Sequence, residues 1–126
     1  MPSKSFEKLL GAMKRNIEHC PWGKEQSLET IKKEFLSEAE EVAKAIDAQD
    51  YENLKEELGD AFWDLLFLTS IAEKEGLFTM KAVLEAINEK IERRKPWLFG
   101  KMEIHSIEEA VQHWEHVKKK EKQGKK

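Results

Sequence analysis

The sequence has one cysteine, three prolines and one tyrosine in 126 residues, and each scarcity excludes something. A lone Cys20 forms no internal disulfide, and a chain without a disulfide framework fits a reducing compartment. So few prolines, with only six glycines, leave room for long uninterrupted helices. The apolar runs are short, and none approaches the ~20 residues of a membrane span. The opening Met1-Pro2-Ser3-Lys4-Ser5-Phe6-Glu7-Lys8 lacks the apolar stretch of a signal peptide. These absences predict a soluble, cytoplasmic protein with no membrane partner, and the length suits one domain.

What is present is charge. Charged residues make up 37% of the chain and hydrophobic residues 40%, yet the apolar positions recur at helical spacing and argue against disorder. The net charge of -3 hides an asymmetry. Residues 25–64 hold thirteen Asp or Glu against four Lys, whereas residues 118–126 hold six Lys against one Glu. The basic end reads as a solvated tail, with no specific nucleic-acid binding expected.

The periodicity predicts five helices. The first covers about residues 4–18 and stops before Cys20-Pro21-Trp22-Gly23, where proline and glycine break it. Ser27 caps a second helix to about Ala48. Asp50 caps a third to about Glu75, closed by Gly76. A fourth runs from Thr79 and ends before Pro96. Ser106 and Glu109 form a capping box that opens the last. The expected fold is all-α, an antiparallel helical bundle completed by dimerisation, with a domain over residues 1–117 and a basic tail over 118–126.

On a helical wheel, Leu54, Leu58, Ala61, Leu65, Leu68 and Ala72 define the expected core stripe of the third helix. Glu57, Asp60 and Asp64 line one flank of it, and Phe67 and Ile71 continue that line. Like charges stacked at this spacing repel, so a neutralising partner is the simplest remedy. The second helix has Ile31, Phe35, Val42 and Ile46 on its core side, with Glu38 inside that arc and Glu41 one turn on. Antiparallel packing through a turn near Gln49 would bring Glu38-x-x-Glu41 face to face with Glu57-x-x-Asp60. Four converging carboxylates suit a hard cation, Mg²⁺ with Mn²⁺ as a substitute. A di-iron bundle would need Glu-x-x-His, and no histidine here has Glu three residues before it.

These residues resemble the MazG family of nucleoside triphosphate pyrophosphohydrolases. The resemblance rests on Glu38-x-x-Glu41 followed by Glu57-Leu58-Gly59-Asp60. It extends to Cys20-Pro21-Trp22 with Glu25-Gln26, to Ala86-Ile87-Asn88-Glu89-Lys90 with Arg93-Arg94-Lys95-Pro96, to Phe99, and to Trp114 with Lys118. It implies an all-α dimer that cuts NTPs or dNTPs to the monophosphate and pyrophosphate with Mg²⁺. Position by position, it implies Glu38, Glu41, Glu57 and Asp60 as metal ligands. It implies Lys90 and Arg94 as phosphate contacts, and Trp114 and Lys118 near the nucleotide; Arg93 could add its charge to the phosphate site, and Trp22 and Gln26 are further candidates for substrate binding. Lys90 and Arg94 would assist catalysis, and either Glu38 or Glu41 would take the proton of the attacking water. Two departures stand out: Ser37 replaces a second acid before the ExxE pair, and Gly23 replaces an Asp after Cys-Pro-Trp.

Other readings of the same residues remain open. Trp22 is either a ligand contact or a loop plug, and the basic cluster at Lys90–Lys95 could be a solvated helix end that favours cations. Trp63 faces away from the expected stripe, which suggests a subunit interface. Trp97 would plug the end of the bundle, and His113 and His116 would lie on the surface. Besides the broad NTP enzyme, the alternatives are a narrower dUTP or phosphoribosyl-ATP pyrophosphohydrolase and a non-catalytic helical interaction module.

Overall fold

The computed structural model describes residues 2–124. Every regular element among them is helical, in the order α1 (Pro2–His19), α2 (Pro21–Lys24), α3 (Leu28–Asp47), α4 (Tyr51–Lys74), α5 (Met80–Arg94) and α6 (Ile107–Gly124). A 3₁₀ turn occupies Pro96–Phe99. The chain divides after Met80 into two compact units. Among the described residues no helix is long and apolar enough to cross a membrane.

Local chemistry sets the helix ends. Ser27 and Thr30 satisfy each other's backbone at the start of α3: Ser27 Oγ accepts from Thr30 N, and Thr30 Oγ1 accepts from Ser27 N. The Asp50 carboxylate accepts from Asn53 N and opens α4. Gly76, at φ 76°, closes α4 in a left-handed conformation that suits glycine. At α6 the expected capping box is displaced by one residue. Ser106 Oγ accepts from Glu109 N, but Glu109 Oε2 accepts from His105 N instead of Ser106 N. Helix α6 continues through the basic stretch to Gly124, and the expected tail residues Lys125 and Lys126 lie outside the described residues, as does Met1.

Two short elements were not expected. Pro21 sits at the first turn of α2, where its missing N–H costs nothing, so Cys20–Gly23 forms a helical turn and not an open loop. Gly23 is buried, and a Cβ there would run into Asn16 O and Oδ1. The glycine is what lets this turn lie against α1.

In the first unit α3 packs along α4, and α1 packs on α2 and α4. The core is Met13 and Ile17 from α1, Ile31 from α3, and Leu66, Phe67 and Ile71 from α4. This corrects the expected stripe of α4 in part. Ala72 is buried and Leu68 packs on the core, but Leu58 and Leu65 are exposed, and Leu66, Phe67 and Ile71 fill the core in their place. Ile46, expected in the core of α3, is also exposed, while Ala45 beside it is buried. Trp63 is corrected too: it is half-buried, packs on this core, and meets Phe67 edge-to-face at 6.1 Å.

In the second unit Val117 is buried, and Trp97 meets His113 edge-on at 5.7 Å. His113 is therefore half-buried and not a surface residue, whereas His116 is exposed as expected.

Candidate metal centre

The hairpin α3–α4 places its residues by simple counting. Gln49, at φ 54°, lies in the tight turn between the two helices. Each helix rises about 1.5 Å per residue, so residues equally far from Gln49 stand at about the same height on antiparallel helices. Ile31 and Phe67 are such a pair, and both are core residues. Nearer the turn come Glu34 with Asp64, Glu38 with Asp60, and Glu41 with Glu57. Along α3 the line Ile31, Glu34, Glu38, Glu41, Ala45 alternates steps of three and four, as does Glu57, Asp60, Asp64, Phe67, Ile71 along α4. Both are seam patterns of packed helices, normally apolar, and carboxylates occupy the middle of the seam.

Three of the acids converge. Glu38, Glu57 and Asp60 each offer a carboxylate oxygen, and these oxygens lie within 4.8 Å of one another. Glu38 and Glu57 are half-buried and Asp60 is exposed. Desolvation pushes the Glu38 carboxyl from 4.5 up to about 7, reinforced by contact with Glu57 and by the charges of Glu57, Asp60 and Asp64. Burial, with the charges of Glu34 and Asp60, also pushes Asp64 upward. Glu38 Oε1 is buried and has no hydrogen-bond partner. A buried, unpartnered carboxylate oxygen beside two further acids fits a divalent cation, which would satisfy the oxygen and remove the repulsion.

Glu41 stands apart from the three. It faces Glu57 in height, but its Oε1 is 3.5 Å from Lys44 Nζ, a cation one turn along its own helix. Trp22 is exposed and presents an edge to Phe67 at 6.1 Å. Gln26 is engaged within its own loop: its Nε2 donates to Trp22 O at 3.1 Å, and its Oε1 accepts from Thr30 Oγ1 at 2.9 Å. Its amide thereby holds the backbone carbonyl of Trp22.

The second unit carries the remaining expected residues. Lys90 is exposed on α5 and Lys118 is half-buried on α6. The Arg94 guanidinium lies 5.0 Å from the ring centre of Trp114, with Lys95 Nζ at 5.4 Å. Arg93 and Arg94 both bind Glu121, a residue that the sequence analysis did not single out. Its spacing was a usable signal, because Trp114, Lys118 and Glu121 recur at steps of four and three on one face of α6.

Fold and site define an all-α protein whose central helical hairpin gathers carboxylates at its seam. A family model for the MazG nucleotide pyrophosphohydrolase domain matches residues 26–99. The nucleoside triphosphate pyrophosphohydrolase of Escherichia coli (strain K12) is 37% identical over 103 residues, covering 82% of this chain and 39% of that protein. The nucleoside triphosphate pyrophosphohydrolase/pyrophosphatase MazG of Thermotoga maritima is 37% identical over 123 residues, 96% of this chain and 47% of its own length. The chain thus spans less than half the length of these curated relatives. The crystal structure of a mazG-related protein from Thermotoga maritima matches with a TM-score of 0.82 and 40% identity, over 90% of this chain and 98% of that one. The chain belongs to the MazG nucleotide pyrophosphohydrolase domain family.

Proposed function

We propose that the chain hydrolyses nucleoside triphosphates to the monophosphate and pyrophosphate, with Mg²⁺ held by Glu38, Glu57 and Asp60. The observation that carries this reading is the convergence of those three carboxylates, one of which, Glu38, has a buried and unpartnered oxygen. Family membership and relatives named nucleoside triphosphate pyrophosphohydrolases support it. Mg²⁺ supplies charge neutralisation for the triphosphate and acidity for a bound water. Mn²⁺, with the same oxygen preference, is the substitute.

The chain's own residues do the rest. Glu41, outside the cluster of three and paired with Lys44, is one candidate to take the proton of the attacking water, and Glu38 is the other. Lys90, Arg93 and Arg94 stabilise charge that develops on the phosphates. Trp114 and Lys118 flank the nucleotide, and Trp22, fixed by Gln26, offers an exposed ring for contact with it. The exposed Leu58, Phe62 and Leu65 of α4 favour a homodimer, because a monomer rarely leaves such a row in water. A supply of nucleoside triphosphates places the working protein in the cytoplasm.

The test is product analysis with each standard NTP and dNTP plus Mg²⁺, with Glu57→Gln as control. Monophosphate and pyrophosphate from the wild type alone support the reading, and relative rates rank the bases. Release of a diphosphate and phosphate overturns it. Activity on dUTP or phosphoribosyl-ATP alone would mark a narrower enzyme of the same chemistry. No turnover together with a melting temperature indifferent to Mg²⁺ and EDTA would mark a helical interaction module instead.

A further inference from the structure

One acid engages the two arginines proposed above as phosphate contacts. Arg93 and Arg94 end α5, and Glu121 of α6 places its carboxylate between their guanidinium groups. Arg93 Nε donates to Glu121 Oε2 at 2.7 Å, and Arg94 Nη2 donates to Oε1 at 2.8 Å. Arg94 Nε also reaches Oε2, at 3.4 Å, so Arg94 grips both oxygens of the carboxylate. The pair is partly sheltered, with the Arg94 side chain 17% and the Glu121 side chain 18% exposed. The guanidinium of Arg94 lies over the ring of Trp114. The two arginines hold the Glu121 carboxyl at about 2, well below its ordinary 4.5, so it remains an anion at any working pH.

A guanidinium fork binds carboxylate and phosphate in the same bidentate manner. Glu121 also shares its face of α6 with Trp114 and Lys118, the two residues of that helix expected near the nucleotide. We propose that Glu121 is an internal stand-in for a phosphate: it occupies the Arg93–Arg94 fork while the site is empty and yields it to a phosphate group of the nucleotide or of pyrophosphate. The inference rests on the reading of Arg93 and Arg94 as phosphate contacts. Yielding the fork needs only a side-chain rotation, because Val117, one turn before Glu121, anchors α6 by its own burial.

Competition of this kind has a definite sign. Only molecules with an open fork bind phosphate, so the apparent affinity falls by the fraction that is open. The returning carboxylate also hastens departure of the product anion. A Glu121 that merely braced the arginines would act oppositely, since its loss would let them wander and weaken phosphate binding.

The experiment measures binding of inorganic pyrophosphate with Mg²⁺ by calorimetry, on the full chain as wild type, Glu121→Gln and Arg94→Ala. Glutamine keeps the shape of the side chain and removes its charge. The expected result is a Kd lower by about threefold to tenfold in Glu121→Gln, with KM for the nucleotide falling likewise and kcat not rising. Unchanged or weaker binding in Glu121→Gln overturns the proposal. Arg94→Ala separates the two readings. If it weakens pyrophosphate binding while Glu121→Gln does not tighten it, the stand-in alone fails. If Arg94→Ala has no effect, the fork is not a phosphate site and both fail. Should Glu121→Gln not fold, Glu121→Asp keeps the charge and shortens its reach by one methylene. A smaller gain in affinity is expected there, and no gain overturns the proposal.

Discussion

Glu38 of α3 and Asp60 of α4 stand at one height of the central hairpin, each eleven residues from Gln49, with carboxylate oxygens within 4.8 Å. Two anions so placed repel, and Glu57 makes a third. Each consequence for stability, turnover and assembly can be measured.

The first consequence is an inverted pH dependence of stability in the metal-free protein. Glu38 titrates at about 7 in the folded state against 4.5 ordinarily, so its protonated form favours folding. Its contribution is fully present below about 4.5 and is lost as pH rises through about 7. Asp64 acts in the same direction. Glu121, held at about 2, acts the opposite way, with its contribution present above 4.5 and lost as pH falls toward 2. In EDTA, Tm should therefore fall between pH 5 and pH 8, and Mg²⁺ at pH 8 should restore it. Glu38→Gln should flatten the fall and abolish the Mg²⁺ response. Scanning calorimetry across that range decides, and a flat Tm for the wild type in EDTA would count against the cluster.

Removal of one ligand charge should cost activity and not structure. Glu57→Gln and Asp60→Asn are each expected to lower turnover by at least about a hundredfold, with helicity by circular dichroism unchanged. Near-wild-type rates in both would refute the metal assignment.

Gly23 is expected to tolerate no side chain. A Cβ there meets the backbone oxygen of Asn16, which cannot move without disturbing α1. Gly23→Ala should destabilise by about 1–3 kcal/mol in denaturant unfolding. Gly23→Asp, a larger side chain at the same place, should cost at least as much. Wild-type stability in Gly23→Asp would mean that the turn shifts freely.

Leu58, Phe62 and Leu65 leave an apolar row in water on α4. A charge in its middle, Phe62→Glu, should convert a dimer to monomers in light scattering at micromolar concentration. A wild-type monomer under the same conditions would dispose of the dimer.

The helices were legible because their ends carry strong local chemistry: Ser27, Asp50, Gly76 and Ser106 act where their side chains or φ angles allow. The pairing of the ExxE and ExxD segments was legible because a short turn fixes height. The core face of α4 was not. Apolar residues occur on two sides of that helix, and a wheel cannot tell which one meets a neighbour. The acids masked the true seam, since Glu57, Asp60 and Asp64 made the line of Phe67 and Ile71 look like a flank. Only the partner residues, Ile31 on α3 with Met13 and Ile17 on α1, resolve it. The grip of Arg93 and Arg94 on Glu121 spans two helices, and spacing within one helix identifies a face without naming its partner.

The seam shared by Ile31, Phe67 and the acids has a mechanical consequence. Burial of the apolar pair clamps the two helices together, and the same clamp holds the carboxylates closer than they would choose. The hairpin is thus a loaded spring, compressed by its core and released by a cation. A softer core lets the acids splay, so Phe67→Leu, which touches no ligand, should weaken Mg²⁺ binding as well as stability.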